Sequence, residues 1–128
     1  MRRERVTGIG GIFFKAHDPG KLAAWYQEHL GLPVEEQHAD FEWREKDLPE
    51  QVGRTVWSVF ADDTDYFGPA SRPFMINYRV ANLDRMLEQL QRDGVVVEKI
   101  EGYDYGRFAW ISDPEGNRIE LWESKKTE

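Results

Sequence analysis

The residues best equipped for chemistry lie near the C-terminal end, in the run Asp113-Pro114-Glu115-Gly116-Asn117-Arg118-Ile119-Glu120-Leu121. Glu120 sits between two apolar residues. In an extended strand it therefore points to the face opposite Ile119 and Leu121. A carboxylate on an apolar face resists ionisation, which suits a general acid–base or a hydrogen-bonding anchor for a ligand. It can also be neutralised as a structural ion pair, with Arg79 or Arg118 as the nearest candidates. The three histidines, His17, His29 and His38, are spread over the first third of the chain and suit solvated or helix-end positions. There is no cysteine, so thiolate metal sites, disulfides and thiol nucleophiles are excluded. That absence fits a reducing compartment, and a cytoplasmic location is expected.

The elements that must position these residues follow from patterning. Val6 to Ala16 reads as a strand. Asp18-Pro19 starts a helix whose apolar face is Leu22, Trp25, Tyr26 and Leu30, and Gly31 ends it. Strands are expected over Leu32-Pro33-Val34, Ala39 to Arg44 and Arg54 to Ala61. About 60 residues later the same grammar returns, an internal repeat at the scale of a module. Phe74 to Val80 is a strand, and Asn82 caps a helix with the stripe Leu83, Met86, Leu87 and Leu90. Val95-Val96-Val97, Arg107 to Ser112 and Arg118 to Trp122 complete it, with Asp113 to Gly116 as a type I turn. The expected fold class is α+β, with two βαβββ modules at about residues 6–61 and 74–123 of a single domain spanning residues 1–128. Together they make a cupped eight-stranded mixed sheet with its helices on the outside.

The chain of 128 residues carries a net charge of -7 with scattered basic residues, so no basic stripe for nucleic acid is present. No apolar run is long enough to cross a bilayer. Met1-Arg2-Arg3-Glu4-Arg5 is expected to be a frayed, solvated terminus. The segment from Ala61 to Pro69 is acidic with two aromatics, Tyr66 and Phe67. It lacks a calcium-loop pattern and reads as a surface connection placed to cover the mouth of the cup.

Two motifs carry a resemblance. The segment DPGKLAAWYQEHLGL resembles the first helix of the vicinal oxygen chelate superfamily, the glyoxalases, bleomycin-resistance proteins and extradiol dioxygenases. The segment ISDPEGNRIELWE closely resembles that superfamily's D-P-[DE]-G-[NH]-x-[IL]-E-[LI] signature. The resemblance spans essentially the whole chain. It implies one divalent metal held by the first and last strands of each module. The matching positions here are Gly11, a place near Trp57, Met75 and Glu120, and of these only Glu120 can ligate a hard metal. His17 cannot stand in, because six extended residues place it roughly 20 Å from Gly11. The expectation is therefore no cofactor, with a divalent metal as the alternative.

Alternation from these positions gives the cup face: Phe13 and Lys15 beside Gly11, Thr55 and Val59 beside Trp57, Asn77 and Arg79 beside Met75, and Arg118 and Trp122 beside Glu120. Trp110 matches a ligand-contacting tyrosine of the fosfomycin-resistance thiol transferases. Arg107, with Tyr105, is expected to meet an anionic ligand. The expected ligand-binding set is Trp57, Asn77, Trp110, Phe13, Met75 and Arg107, with Glu120 as the candidate catalytic residue. This set describes a pocket for a small, flat or aromatic molecule, bound without a metal as in bleomycin-resistance proteins. The alternatives are an enzyme of the superfamily (lyase, isomerase or dioxygenase) that uses Glu120 as acid–base or sole retained metal ligand, and an assembly module whose cup is filled by its own side chains. The resemblance also implies a homodimer.

Overall fold

The computed structural model describes residues 3–68 and 72–125. Seven strands and two helices follow one another as β1 (Val6–Ala16), α1 (Pro19–Leu30), β2 (His38–Arg44), β3 (Val52–Ala61), β4 (Phe74–Val80), α2 (Leu83–Arg92), β5 (Lys99–Tyr103), β6 (Gly106–Ser112) and β7 (Arg118–Ser124). They form one open mixed sheet in the order β2-β3-β1-β4-β7-β6-β5. The repeat is visible in the pairing. The first strand of each half runs parallel to the last strand of that half, β1 with β3 and β4 with β7. The halves meet where β1 and β4 pair antiparallel at the centre.

The helix signals act as their chemistry requires. Asp18 Oδ1 accepts from the Lys21 amide at 3.0 Å, and Asn82 Oδ1 accepts from the Arg85 amide at 3.1 Å. Gly31 takes the left-handed conformation (φ 70°) that closes α1. In the turn before β7, Asp113 accepts from the amides of Glu115 and Asn117 and from the Asn117 side chain. These bonds, the Asn117 side chain's first, hold its carboxyl below the usual range.

Three expectations are corrected. The sheet has seven strands, not eight, because Leu32-Pro33-Val34 forms none. Pro33 brings no N–H, the Val34 amide turns back onto the Leu32 carbonyl, and only a single bridge joins Glu35 to His38. Val95-Val96-Val97 is likewise not a strand. The Val95 amide closes the end of α2 on the Leu90 carbonyl, and Val95 and Val97 pack against the core under that helix, so β5 starts only at Lys99. The terminus is not frayed from Arg3 onward. Arg3 pairs with Asp93 at 2.6 Å, and the Glu4 backbone and Gln89 side chain bond each other in both directions. Met1, Arg2 and Pro69 lie outside the described residues.

The two faces of the sheet carry different cores. Under α2, Val80, Leu83, Met86, Leu87, Ala109, Ile111 and Leu121 form an aliphatic cluster. On the opposite, concave face lies an aromatic cluster of Phe13, Phe67, Met75, Phe108, Trp110 and Trp122, with Val56 and Phe60 packed against it. Strict alternation separates them: in β6, Phe108 and Trp110 face the cup while Ala109 and Ile111 face the helix.

Candidate functional site

At the centre of the concave face, β4 and β7 pair Asn77 with Glu120, and β6 and β7 pair Trp110 with Glu120. Glu120 and Asn77 are the buried polar side chains among the described residues, each 1% exposed. The carboxylate is fully engaged. Asn77 Nδ2 donates to Oε1 at 2.6 Å, and Trp110 Nε1 donates to Oε2 at 3.0 Å. The Tyr66 hydroxyl donates to the same Oε2. Burial pushes the Glu120 pKa up, and the bonds from Tyr66, Asn77 and Trp110 oppose that rise. The Tyr66 phenol is pushed far above its ordinary value, by burial first and by the carboxylate second, so it stays protonated as a donor.

Tyr66 and Phe67 arrive from the connection between the halves. Phe67 is 1% exposed and meets Phe60 edge-on at 5.2 Å, with the Lys15 ammonium 5.5 Å from its ring. Tyr66 stacks on Phe60 at 5.5 Å and stands edge-on to Trp110. Arg118 holds the Tyr66 carbonyl at 3.1 Å. The connection therefore does more than cover the mouth of the cup, because it buries Phe67 within it and lays Tyr66, 37% exposed, across Glu120. The sequence reading did not place Tyr66 in the site. The available signal was an aromatic pair in an otherwise acidic loop, which no strand pattern accounts for.

Phe13, Met75, Asn77, Trp110 and Glu120 are brought together here. Trp57 and Arg107 are not. The β1–β3 register sets Ile12 beside Trp57 and Gly11 beside Val56. Trp57 thus packs with Phe14 and Tyr26 of α1, at 5.4 and 5.0 Å, and Val56 and Phe60 take the cup side of β3. An error of one residue in matching a strand moves a side chain to the other face. Arg107 alternates with Phe108 and so faces α2, where it pairs with Asp84 at 2.8 Å. Neither Arg79 nor Arg118 contacts the Glu120 carboxylate. Arg118 acts on it only through space.

Arg79 occupies one end of the cup. Its guanidinium lies over Trp122 at 4.7 Å and over Trp43 at 5.8 Å. Gly10 makes this end possible, since a Cβ there would lie 2.1 Å from Asn77 Oδ1, 2.9 Å from Arg79 and 3.0 Å from Trp122. Replacing Gly10 by Ala is expected to destabilise the protein by about 1–3 kcal/mol through overpacking. Urea denaturation with an unchanged midpoint would show that this packing is looser than described.

The donor set does not suit a metal. Glu120 is already surrounded by three N–H and O–H donors, which present hydrogens and not lone pairs. Gly11 and Met75 offer no hard ligand. Among the described residues no group of three His, Cys, Asp or Glu side chains lies together. His17 is exposed and paired with Asp62, and His29 is beside Glu28. A separate groove of about 370 Å³ at the end of β3, lined by Glu36, Gln37 and His38 among others, shares only Phe60 with the aromatic cluster.

Residues 11–122 match the family model of the glyoxalase-like domain. No curated protein matches by sequence. Among solved structures, methylmalonyl-CoA epimerase from Mycobacterium tuberculosis is similar at a TM-score of 0.64 and 20% identity, over 98% of this chain and 93% of that one. A variant of the Streptomyces coelicolor methylmalonyl-CoA epimerase, in complex with 2-nitronate-propionyl-CoA, gives 0.68 and 17%, over 95% and 100%. A glyoxalase/bleomycin resistance protein/dioxygenase superfamily member from Vibrio splendidus 12B01 gives 0.54 and 11%, over 93% and 97%. With its repeated halves, its open sheet and the Asp113-to-Leu121 signature in place, the chain belongs to the glyoxalase-like domain family.

Proposed function

We propose that this protein binds a small, flat or aromatic organic molecule in the cup, without a metal, and that the ligand's own N–H or O–H group replaces the Tyr66 hydroxyl on Glu120. The observation that carries this reading is the desolvated carboxylate at the centre of an aromatic face. A purely structural core gains nothing from a buried charge, since an apolar residue of similar volume serves as well or better. A ligand site gains an acceptor that fixes orientation within apolar walls. Methylmalonyl-CoA epimerases of similar fold were solved in complex with 2-nitronate-propionyl-CoA and with methylmalonyl-CoA, which supports an organic ligand on this sheet. The reading includes a cytoplasmic homodimer, supported by the exposed Ile12 and Phe74 on the two central strands. No helix among the described residues is long and apolar enough to cross a membrane.

The probe that tests it is p-cresol, which carries the ring and hydroxyl of the Tyr66 side chain. In heteronuclear NMR, p-cresol is expected to shift the Trp110 indole N–H while Trp25 and Trp57, on the α1 side, stay in place. Toluene should produce a smaller shift, because it has no donor for Glu120. An unmoved Trp110 signal, or equal shifts at all the tryptophans, would sink the reading. The raised pKa of Glu120 favours a second reading, an enzyme of the superfamily in which this carboxyl moves a proton.

A further inference from the structure

Arg79 stands out among the charged groups of the concave face. It is half-buried, and its environment is aromatic. Among the described residues no carboxylate or carbonyl lies within hydrogen-bonding distance of its guanidinium. Glu45 reaches it only through space, and desolvation lowers its pKa. Arg118 is committed to the Tyr66 carbonyl and Glu98, and Arg107 to Asp84, while the Lys15 ammonium lies against the Phe67 ring at the other end of the aromatic cluster. A guanidinium flanked by aromatic rings has its faces covered while its in-plane N–H edges stay open, and those edges match the two oxygens of a carboxylate.

The surroundings are built for this arrangement. Side chains at Gly8 or Gly53 would collide with the Trp43 ring, at 2.2 and 2.3 Å, so the two glycines make room for one wall. At Gly10 the stem of Arg79, the Trp122 ring and Asn77 Oδ1 converge. Asn77 Oδ1 is buried and has no hydrogen-bond partner. The buried Arg118 Nε likewise has none. An unpartnered acceptor takes a donor from a bound molecule, so Asn77 serves that molecule's N–H or O–H side and leaves its acid to Arg79.

We infer that the Arg79 end of the cup, between Trp43 and Trp122, is a receptor for the carboxylate of an aromatic ligand. The inference rests on the reading that the cup binds a small organic molecule, and it assigns that ligand an anionic end. Glu120 and Arg79 lie two residues apart along adjacent strands, Glu120 beside Asn77 and Arg79 beside Trp122. They therefore offer an acceptor and a cationic donor on one face. The selected ligand has a hydrogen-bond donor on one side of a flat ring and an acid on the other.

Benzoate and benzamide separate the charge from the ring. At low ionic strength the wild-type protein is expected to bind benzoate roughly tenfold more tightly than benzamide, as one charge-assisted contact requires. The Trp43 and Trp122 indole N–H signals should report the binding. High salt should erase the preference, and Arg79→Met, which keeps the length of the stem, should make the two affinities equal. Arg79→Lys keeps the charge and loses the paired edge, so it should retain part of the preference. Together with the salt dependence of the wild type it also serves if Arg79→Met fails to fold. Equal affinities in the wild type, or a preference that persists in Arg79→Met or in high salt, would overturn the inference. If p-cresol still moves Trp110 in that case, the cup reading stands and only the anionic end is lost. If neither benzoate, benzamide nor p-cresol binds, both fall.

Discussion

Replacing Glu120 by Gln is expected to stabilise the protein at neutral pH, by about 1–2 kcal/mol, although Glu120 is buried and has three partners. The amide keeps the shape and one acceptor. That acceptor can stand where Oε2 now receives Trp110 Nε1 and the Tyr66 hydroxyl. The new NH2 then faces Asn77, whose amide can turn to present Oδ1 in place of Nδ2. Asn77 leaves one buried atom unpaired in either orientation, as it does now. All three hydrogen bonds can be kept while the charge is removed, so the desolvation penalty of the carboxylate is relieved. Glu120→Leu is expected to do the opposite. It leaves the Trp110 indole, the Asn77 amide and the Tyr66 hydroxyl without an acceptor. At about 1–3 kcal/mol for each abandoned donor, the loss should exceed about 3 kcal/mol.

The pH dependence fixes the sign. The folded pKa of Glu120 lies above its ordinary 4.5, chiefly from burial. The folded state then holds the proton more tightly than the unfolded state. Stability from this group is complete below 4.5 and is lost as pH rises through the folded pKa. Denaturation of wild type and Glu120→Gln should therefore converge on acidification toward 4.5 and separate toward neutral pH. Asp113, whose carboxyl is held low, contributes in the other direction, but it is present in both proteins and drops out of the difference. A Gln variant much less stable than wild type at neutral pH would mean that the charge is paired with a cation after all, with Arg118 the nearest candidate.

Much of this arrangement was legible in the sequence. Asp18, Asn82 and Gly31 announce the helix ends because capping is local chemistry, decided within a few residues. The cup positions of β4, β6 and β7 also followed, since Met75, Asn77, Trp110 and Glu120 lie on strands whose alternation is unbroken. Trp57 was misplaced because its face depends on the register of β3 against β1, a long-range fact that alternation within one strand does not contain. Leu32 to Val34 has a strand-like composition, but it needed a partner strand and found only a bridge. Tyr66 and Phe67 were hidden for a different reason. A loop has no periodicity, so nothing in the spacing says which of its side chains turn inward. The acidic residues around them suggested solvent, and Asp62, Asp63 and Asp65 are indeed exposed while Phe67 is drawn into the cup and Tyr66 lies across its mouth.

That loop is where stability and binding can be separated. Phe67→Ala is expected to cost about 3–5 kcal/mol, because it removes a ring that is 1% exposed and packed on Phe60. This is a large share of the total stability of about 5–15 kcal/mol typical of a small protein. The hole left among Phe13, Phe60 and Met75 is apolar and should take up toluene, raising the melting temperature of the variant more than that of the wild type. The effect on p-cresol is the sharper outcome. In the wild type, p-cresol must first lift Tyr66 off Glu120, and Phe67 anchors the chain next to Tyr66. Without that anchor Tyr66 leaves at lower cost, so p-cresol should bind about tenfold more tightly to a protein that is less stable. A ring that merely fills a core gives no such opposition, because its loss loosens the walls and weakens binding and folding together. Calorimetric titration of Phe67→Ala with p-cresol, alongside urea denaturation, distinguishes the two. A parallel fall in affinity and stability would identify Tyr66 and Phe67 as permanent core, and the cup as a space this chain fills for itself.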